Sequence, residues 1–227
     1  MQEFITERDE VIDRLVRSGD TVVSMLDRAL GSLVERNEAR AQQVIDADDR
    51  VDATFAAIQD RVVGLMAMGV TDPTELRLLA ALLHVNIHVE RMGDYAVNIA
   101  RAGVRTADEP EDPGLADQLR ELGVLAIEVA RTAMRAFAQR DEQAARRLPA
   151  LDDAVDQLNL GVFHRLVRLA STDDEHLWWA TNMILVARQI ERYGDHAVDI
   201  GEATIFAATG ETVELSSNAS RPAPPTD

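Results

Sequence analysis

Apolar residues along this chain recur at intervals of three and four rather than two, a spacing that predicts amphipathic helices almost throughout. Turn-forming residues divide the pattern. A first segment runs from about Glu7 to Arg36, with Gly19 as a weak point, and "RNEA" turns it into a second from about Glu38 to Met68. "GVTDP" closes the second, and Asp72 as N-cap with Pro73 at the first helical position starts a third that lasts to about Arg105. Prolines, acids and a glycine in "TADEPEDPG", residues 106–114, stop helix formation. The pattern then begins again, from about Leu115 to Arg140, Glu142 to Ala170, and Asp174 to Thr209, with Ser171 or Asp173 as cap and Gly210 as stop. Segments of this length span about 45 Å as helices.

The second set of three repeats the first. "ERNEARAQQVIDADDRVD" (35–52) aligns with "QRDEQAARRLPALDDAVD" (139–156), and "ERMGDYAVNIA" (90–100) with "ERYGDHAVDIG" (191–201). Repetition over this length indicates a duplicated structural unit. The expected fold is therefore all-α, two tandem three-helix bundles made of six long helices. The expected organisation is a first repeat over 1–106, a linker over 107–114, a second repeat over 115–210 and a flexible tail over 211–227, the tail having too little apolar content to pack. Pro149 stands where the first repeat has Ile45, so the fifth helix is expected to kink or to begin later than the second.

Four acidic pairs interrupt the apolar seams at matched places: Asp48 with Asp52, Glu90 with Asp94, Asp152 with Asp156, and Glu191 with Asp195. At 100° per residue Glu90 and Asp94 continue the stripe of Leu83, Asn86, Ile87 and Val97, and in the last helix Asp199 and Glu202 extend the acidic strip. Neighbouring antiparallel helices could bring four carboxylates together in each repeat. Like charges four apart cost a helix a few tenths of a kcal/mol per pair, more when desolvated, so a neutralising partner is expected. Oxygen ligands suit Mg²⁺, Mn²⁺, Ca²⁺ or iron. Arginine is the alternative, with Arg50, Arg91, Arg188 and Arg192 in reach. Gly93 and Gly194, inside the motifs, cost about 1 kcal/mol each relative to alanine. They suggest either close helix packing or room for a cation beside the carboxylates.

Composition narrows the chemistry. The formal charge of −17 disfavours phosphate backbones and anionic lipid, so neither nucleic acid nor direct membrane contact is expected. Without cysteine there are no thiolate metal sites, and the lack of a signal-like start or a long apolar run points to the cytoplasm. Among His84, His88, His164, His176 and His196, only the first two are spaced one helical turn apart, a pair read mainly as core or surface. Of Trp178 and Trp179, one is expected in the core and the other is open to a partner. No P-loop, dinucleotide turn, nucleophile elbow or Glu-x-x-His di-iron pattern is present, so the chain reads as a binding module rather than an enzyme.

The stretches "VERMGDYAVNIA" and "IERYGDHAVDIG", with "DDRVD" and "DDAVD" in matching places, resemble the PhoU family of phosphate-transport regulators along the chain to about Gly210. The resemblance implies two three-helix bundles with a multinuclear metal cluster on each. Its ligands would be Asp48, Asp52, Glu90 and Asp94 in one half and Asp152, Asp156, Glu191 and Asp195 in the other, with Asn98 and Asp199 as additions. Asp49 and Asp153 are open substitutes for their neighbours. The implied metal is a divalent or trivalent ion: iron, manganese, magnesium or zinc. The implied role is non-enzymatic: coupling the ATPase subunit of the phosphate ABC transporter to a sensor histidine kinase and repressing the phosphate-starvation response when phosphate is plentiful. Contact with the membrane would be through these partners, and the protein is expected to be a homodimer. The alternative is a metal-independent helical scaffold.

Overall fold

A computed structural model of the chain describes residues 2–215. Among them are six long helices and one single-turn helix: α1 (Gln2–Val34), α2 (Glu38–Ala67), α3 (Pro73–Arg105), α4 (Pro113–Gln139), α5 (Glu142–Ala145), α6 (Leu148–Thr172) and α7 (Leu177–Thr209). Helices α1, α2 and α3 pack on one another, and α4, α6 and α7 do the same, giving two tandem three-helix bundles. Contacts of α1 with α4 and of α3 with α7 join them, so the apolar core is continuous across both.

The caps explain the boundaries. Asp72 accepts a hydrogen bond from the Thr74 amide at 2.8 Å, and Pro73 fills the first helical position, where a missing N–H costs nothing. Asn37 and Asp112 cap α2 and α4 through the amides of Arg40 and Leu115. Gly210 ends α7 at φ +81°, a left-handed conformation that favours glycine.

Three expectations about the helices change, and the one for Pro149 holds. Gly19 does not weaken α1, which is unbroken. A Cβ there would lie 2.6 Å from Met134 Cε, just as one on Gly123 would lie 2.0 Å from Leu30 Cδ1. Both glycines give the side chains of Met134 and Leu30 room against the facing helix where α1 meets α4. α1 also starts at Gln2 rather than near Glu7, because Phe4 is buried and anchors the first turn. The last helix starts at Leu177 rather than Asp174. Asp173 caps a preceding turn instead, accepting from the Glu175 amide and the His176 ring. Pro149 lies in the first turn of α6, so that helix begins later than α2 does, and single-turn α5 replaces the missing length.

Trp179 is buried and Trp178 is 54% exposed, one in each of the expected environments. Ile87, expected in the seam, is 41% exposed. Of the tail expected over 211–227, residues 211–215 are described. There Val213 and Leu215 pack against the core and Glu202 accepts a hydrogen bond from the Leu215 amide. Residues 216–227 lie outside the described part. No described helix is long and apolar enough to cross a membrane.

Candidate metal centre

In the second bundle α6 contributes Asp152 and Asp156, and α7 contributes Glu191 and Asp195. Asp152 is the centre of this group, 2% exposed, with an Oδ1 that has no hydrogen-bond partner. Its carboxyl is pushed up to about 7, first by burial and then by the charges of Asp156, Asp195 and Glu191. Glu191 is raised by burial and by Asp195, and Asp195 by desolvation and by Asp156. Four carboxylates from two helices therefore share one electrostatic environment, as the spacing predicted.

Gly194 accounts for how Asp152 fits. A Cβ at that position would lie 2.5 Å from Asp152 Oδ1, so only a bare backbone leaves the carboxylate its place between α6 and α7. The space made by this glycine holds the acid itself. Beside the group is a cleft of about 750 Å³ lined by Asp156, Glu191, Asp195 and Arg188, with the exposed apolar side chains of Leu160 and Phe163.

The first bundle repeats the arrangement in a looser form. Asp48 on α2 is raised by burial and by Asp52 and Asp94, and Glu90 on α3 is raised by burial and by Asp94. Asp48 is half-buried rather than buried, and a Cβ on Gly93 would meet its Oδ1 at an ordinary 3.5 Å. Asp49 is exposed, and after Asp94 and Arg91 on its own helix the charges acting on Glu90 are those of Asp52 and Asp48 on α2. In the second bundle Asp153 also has a buried, unpartnered Oδ1.

Arginines answer part of the negative charge. Arg91 lies 3.6 Å from Glu90 and 3.4 Å from Asp94, and Arg188 pairs closely with Glu191. Arg91 and Arg188 are more than half exposed, so these pairs are worth at most about 1 kcal/mol each. Neither reaches Asp152 Oδ1. A buried carboxylate oxygen without a donor, set among further carboxylates, is the environment a hard cation neutralises, and the donors present fit one.

Asn98 and Asp199 face a different setting. Asn98 Nδ2 donates weakly to Gln189 Oε1 at 3.5 Å, whereas Asp199 Oδ2 lies 3.4 Å from His88 Nδ1 and 3.2 Å from His196 Nδ1. The two histidine nitrogens are 2.8 Å apart, and Tyr95 Oη is 3.1 Å from His196 Nε2. Burial lowers the pKa of His88. The spacing of histidines within single helices gave no sign of this pair, because its members lie 108 residues apart on α3 and α7. Only the repeat alignment, which sets His196 over Tyr95 and His88 over Gln189, hints at a shared location.

A family model described as the PhoU domain matches residues 15–103 and 119–204. A phosphate-specific transport system accessory protein PhoU homolog of Xylella fastidiosa (strain 9a5c) is 28% identical over 211 residues, 93% of this chain and 89% of that protein. One from Clostridium acetobutylicum is 26% identical over 213 residues, 93% of this chain and 97% of that protein. The crystal structure of PhoU from Pseudomonas aeruginosa superposes with a TM-score of 0.87 at 28% identity, covering 92% of this chain and all of that one. A phosphate transport system regulatory protein PhoU from Streptococcus pneumoniae, 23% identical, shares the fold at a TM-score of 0.85 over 93% of this chain and all of its own. The two matched stretches each cover one three-helix bundle and together take in most of the chain, which therefore belongs to the PhoU family.

Proposed function

We propose that the chain is a metal-binding regulatory adaptor of a phosphate-specific transport system, acting in the cytoplasm and binding proteins rather than turning over substrate. Relatives along nearly the full length bear the name of accessory protein of that system. The observation that carries the metal reading is Asp152, a buried carboxylate with an unpartnered oxygen among three further acids. Asp152, Asp156, Glu191 and Asp195 would hold a metal in one bundle, and Asp48, Asp52, Glu90 and Asp94 in the other. Iron, manganese, magnesium and zinc all accept such ligands. The bound ion would supply positive charge that ties α2 to α3 and α6 to α7.

The proposed partners are the ATPase subunit of the phosphate transporter and the sensor histidine kinase of the phosphate two-component system, with a homodimer as the working assembly. In the second bundle the cleft that joins three of the acids to exposed Leu160 and Phe163 offers a partner both an ionic and an apolar contact. Metal that stiffens this face would shift partner affinity by as much as it favours the docking-competent arrangement. Repression of the phosphate-starvation response would follow from the kinase being held inactive in the complex.

A second reading, the metal-independent scaffold, draws on the pairing of Arg91 and Arg188 with acids of each cluster. Elemental analysis of purified protein separates the two readings. Wild type should carry metal, and a Glu90→Ala/Asp94→Ala/Glu191→Ala/Asp195→Ala variant should lose most of it. Equal content in both proteins would overturn the adaptor's metal chemistry and leave the scaffold.

A further inference from the structure

The geometry points to a separate transition-metal site between the two bundles, formed by His88 of α3 with His196 and Asp199 of α7, that takes a divalent cation of the zinc class and pins one repeat to the other. The site adjoins the second-bundle carboxylate cluster, His196 and Asp199 both acting on the charge of Asp195, and differs from it in its donors and in the helices it joins. Those clusters join helices of the same bundle through oxygen alone, whereas this one joins the bundles through two imidazoles.

Three atoms define it. His88 Nδ1, His196 Nδ1 and Asp199 Oδ2 form a triangle with sides of 2.8, 3.4 and 3.2 Å. The circle through its corners has a radius of about 1.8 Å, shorter than the usual metal–ligand distance of about 2.0–2.1 Å. One ion just off the plane of the triangle therefore reaches all three atoms without any backbone movement. Ligands on a single tetrahedral or octahedral ion sit about 2.9–3.4 Å apart at such bond lengths; both His–Asp sides fall in that range and the His–His side of 2.8 Å lies just below it. Two imidazoles and a carboxylate favour zinc, cobalt or iron over magnesium or calcium.

The surroundings suit the assignment. Tyr95 Oη can accept from the Nε2–H of His196 once Nδ1 is given to a metal, the outer partner that fixes a ligating ring. A cavity of about 420 Å³, lined in part by His84, His88, Asp199 and Glu202, opens beside the triangle and leaves a way in and a place for a water ligand.

The duplication supplies an internal control. Under the alignment of the two motifs, His88, His196 and Asp199 correspond to Gln189, Tyr95 and Asn98. The matching place across α7 and α3 thus holds two amides and a phenol, linked by the contact of Asn98 with Gln189. Only one of the two related places carries ligands. The other shows that α3 and α7 also pack with glutamine and asparagine there.

Cobalt(II) reports the site through its visible d–d absorption. Wild-type protein titrated with CoCl₂ should give bands typical of nitrogen coordination that saturate at one ion per chain, and ZnCl₂ should abolish them. A His88→Gln/Asp199→Asn variant, which installs the pair found at the matching place, should bind cobalt more weakly by more than the roughly 100-fold that loss of an outer partner costs. An Asp152→Asn/Glu191→Gln variant should keep the bands. No bands in wild type, bands that survive in the first variant, or bands lost in the second alone would each overturn the assignment. The last result would place the cobalt in the carboxylate cluster.

Discussion

Asp152→Asn should make the metal-free protein more stable at pH 8 while removing the stability that metal adds at the second bundle. In the absence of a cation the ionised Asp152 is buried beside three like charges, and the rise of its pKa from 3.8 to about 7 measures the strain. At about 1.4 kcal/mol per unit this amounts to roughly 4 kcal/mol above pH 7. Asparagine removes the charge at nearly the same volume but leaves a buried amide to satisfy, a cost of about 1–3 kcal/mol. The net gain should be about 1–3 kcal/mol, a rise in Tm of roughly 3–9 °C for a chain of this size. Metal offsets this advantage. An ion present at 100 times its Kd adds about 2.7 kcal/mol to the native state it binds, a gain available to wild type in both bundles and to the variant in the first bundle alone. Thermal melts in chelator and in excess Mn²⁺ check both halves of the expectation. A variant that is less stable in chelator would show that Asp152 serves the fold rather than a ligand.

The second large effect is a loss of stability with rising pH in the metal-free protein, offset by metal. Asp152, Glu191, Asp195, Asp48, Glu90 and Glu202 all have carboxyls raised above their ordinary values, each by burial first. A raised carboxyl keeps its proton longer in the folded chain than in the unfolded one. Its contribution is complete below the unfolded value near 4 and is lost as pH climbs through the folded value. Metal-free protein should therefore lose stability between about pH 4 and pH 7, by roughly 4 kcal/mol from Asp152 alone. His88, lowered by burial, works the other way below 6.5 but is one group against six. Metal needs deprotonated ligands, so the stabilisation from excess Mn²⁺ should grow over the same interval. Urea unfolding at pH 5 and pH 7.5, with chelator and with Mn²⁺, gives the four values. The gap between metal-loaded and metal-free protein should widen at the higher pH, and a constant gap would contradict the assignment of carboxylate ligands.

Much of this arrangement could be read from the chain because its signals are local or repeated. Helical period, the Asp72–Pro73 start and the Gly210 stop depend on near neighbours. The acidic pairs were noticeable because they recur at matched positions, and the repeat implied which helices would face each other. Features that depend on contacts far apart in sequence were hidden. Gly19 looks like a flaw until Met134 of α4 is seen lying against it. Asp48 and Asp152 are equivalent in sequence, yet only Asp152 is sealed from solvent, with Gly194 beneath it. The meeting of His88 with His196 needs α3 and α7 of different repeats to cross at one level, which no spacing within a helix can announce. Pro149 falls between these cases. Its effect on α6 was local and readable, whereas the retention of Asp152 among the other acids depended on how α6 docks against α7.

Mutual repulsion among acids on facing helices is the physical basis of the metal reading, and anomalous diffraction tests it most directly. Crystals grown with Mn²⁺ should show anomalous peaks within bonding distance of Asp152, Asp156, Glu191 and Asp195, and beside Asp48, Asp52, Glu90 and Asp94. A map without peaks there, with Arg91 and Arg188 folded across the carboxylates instead, would contradict the account.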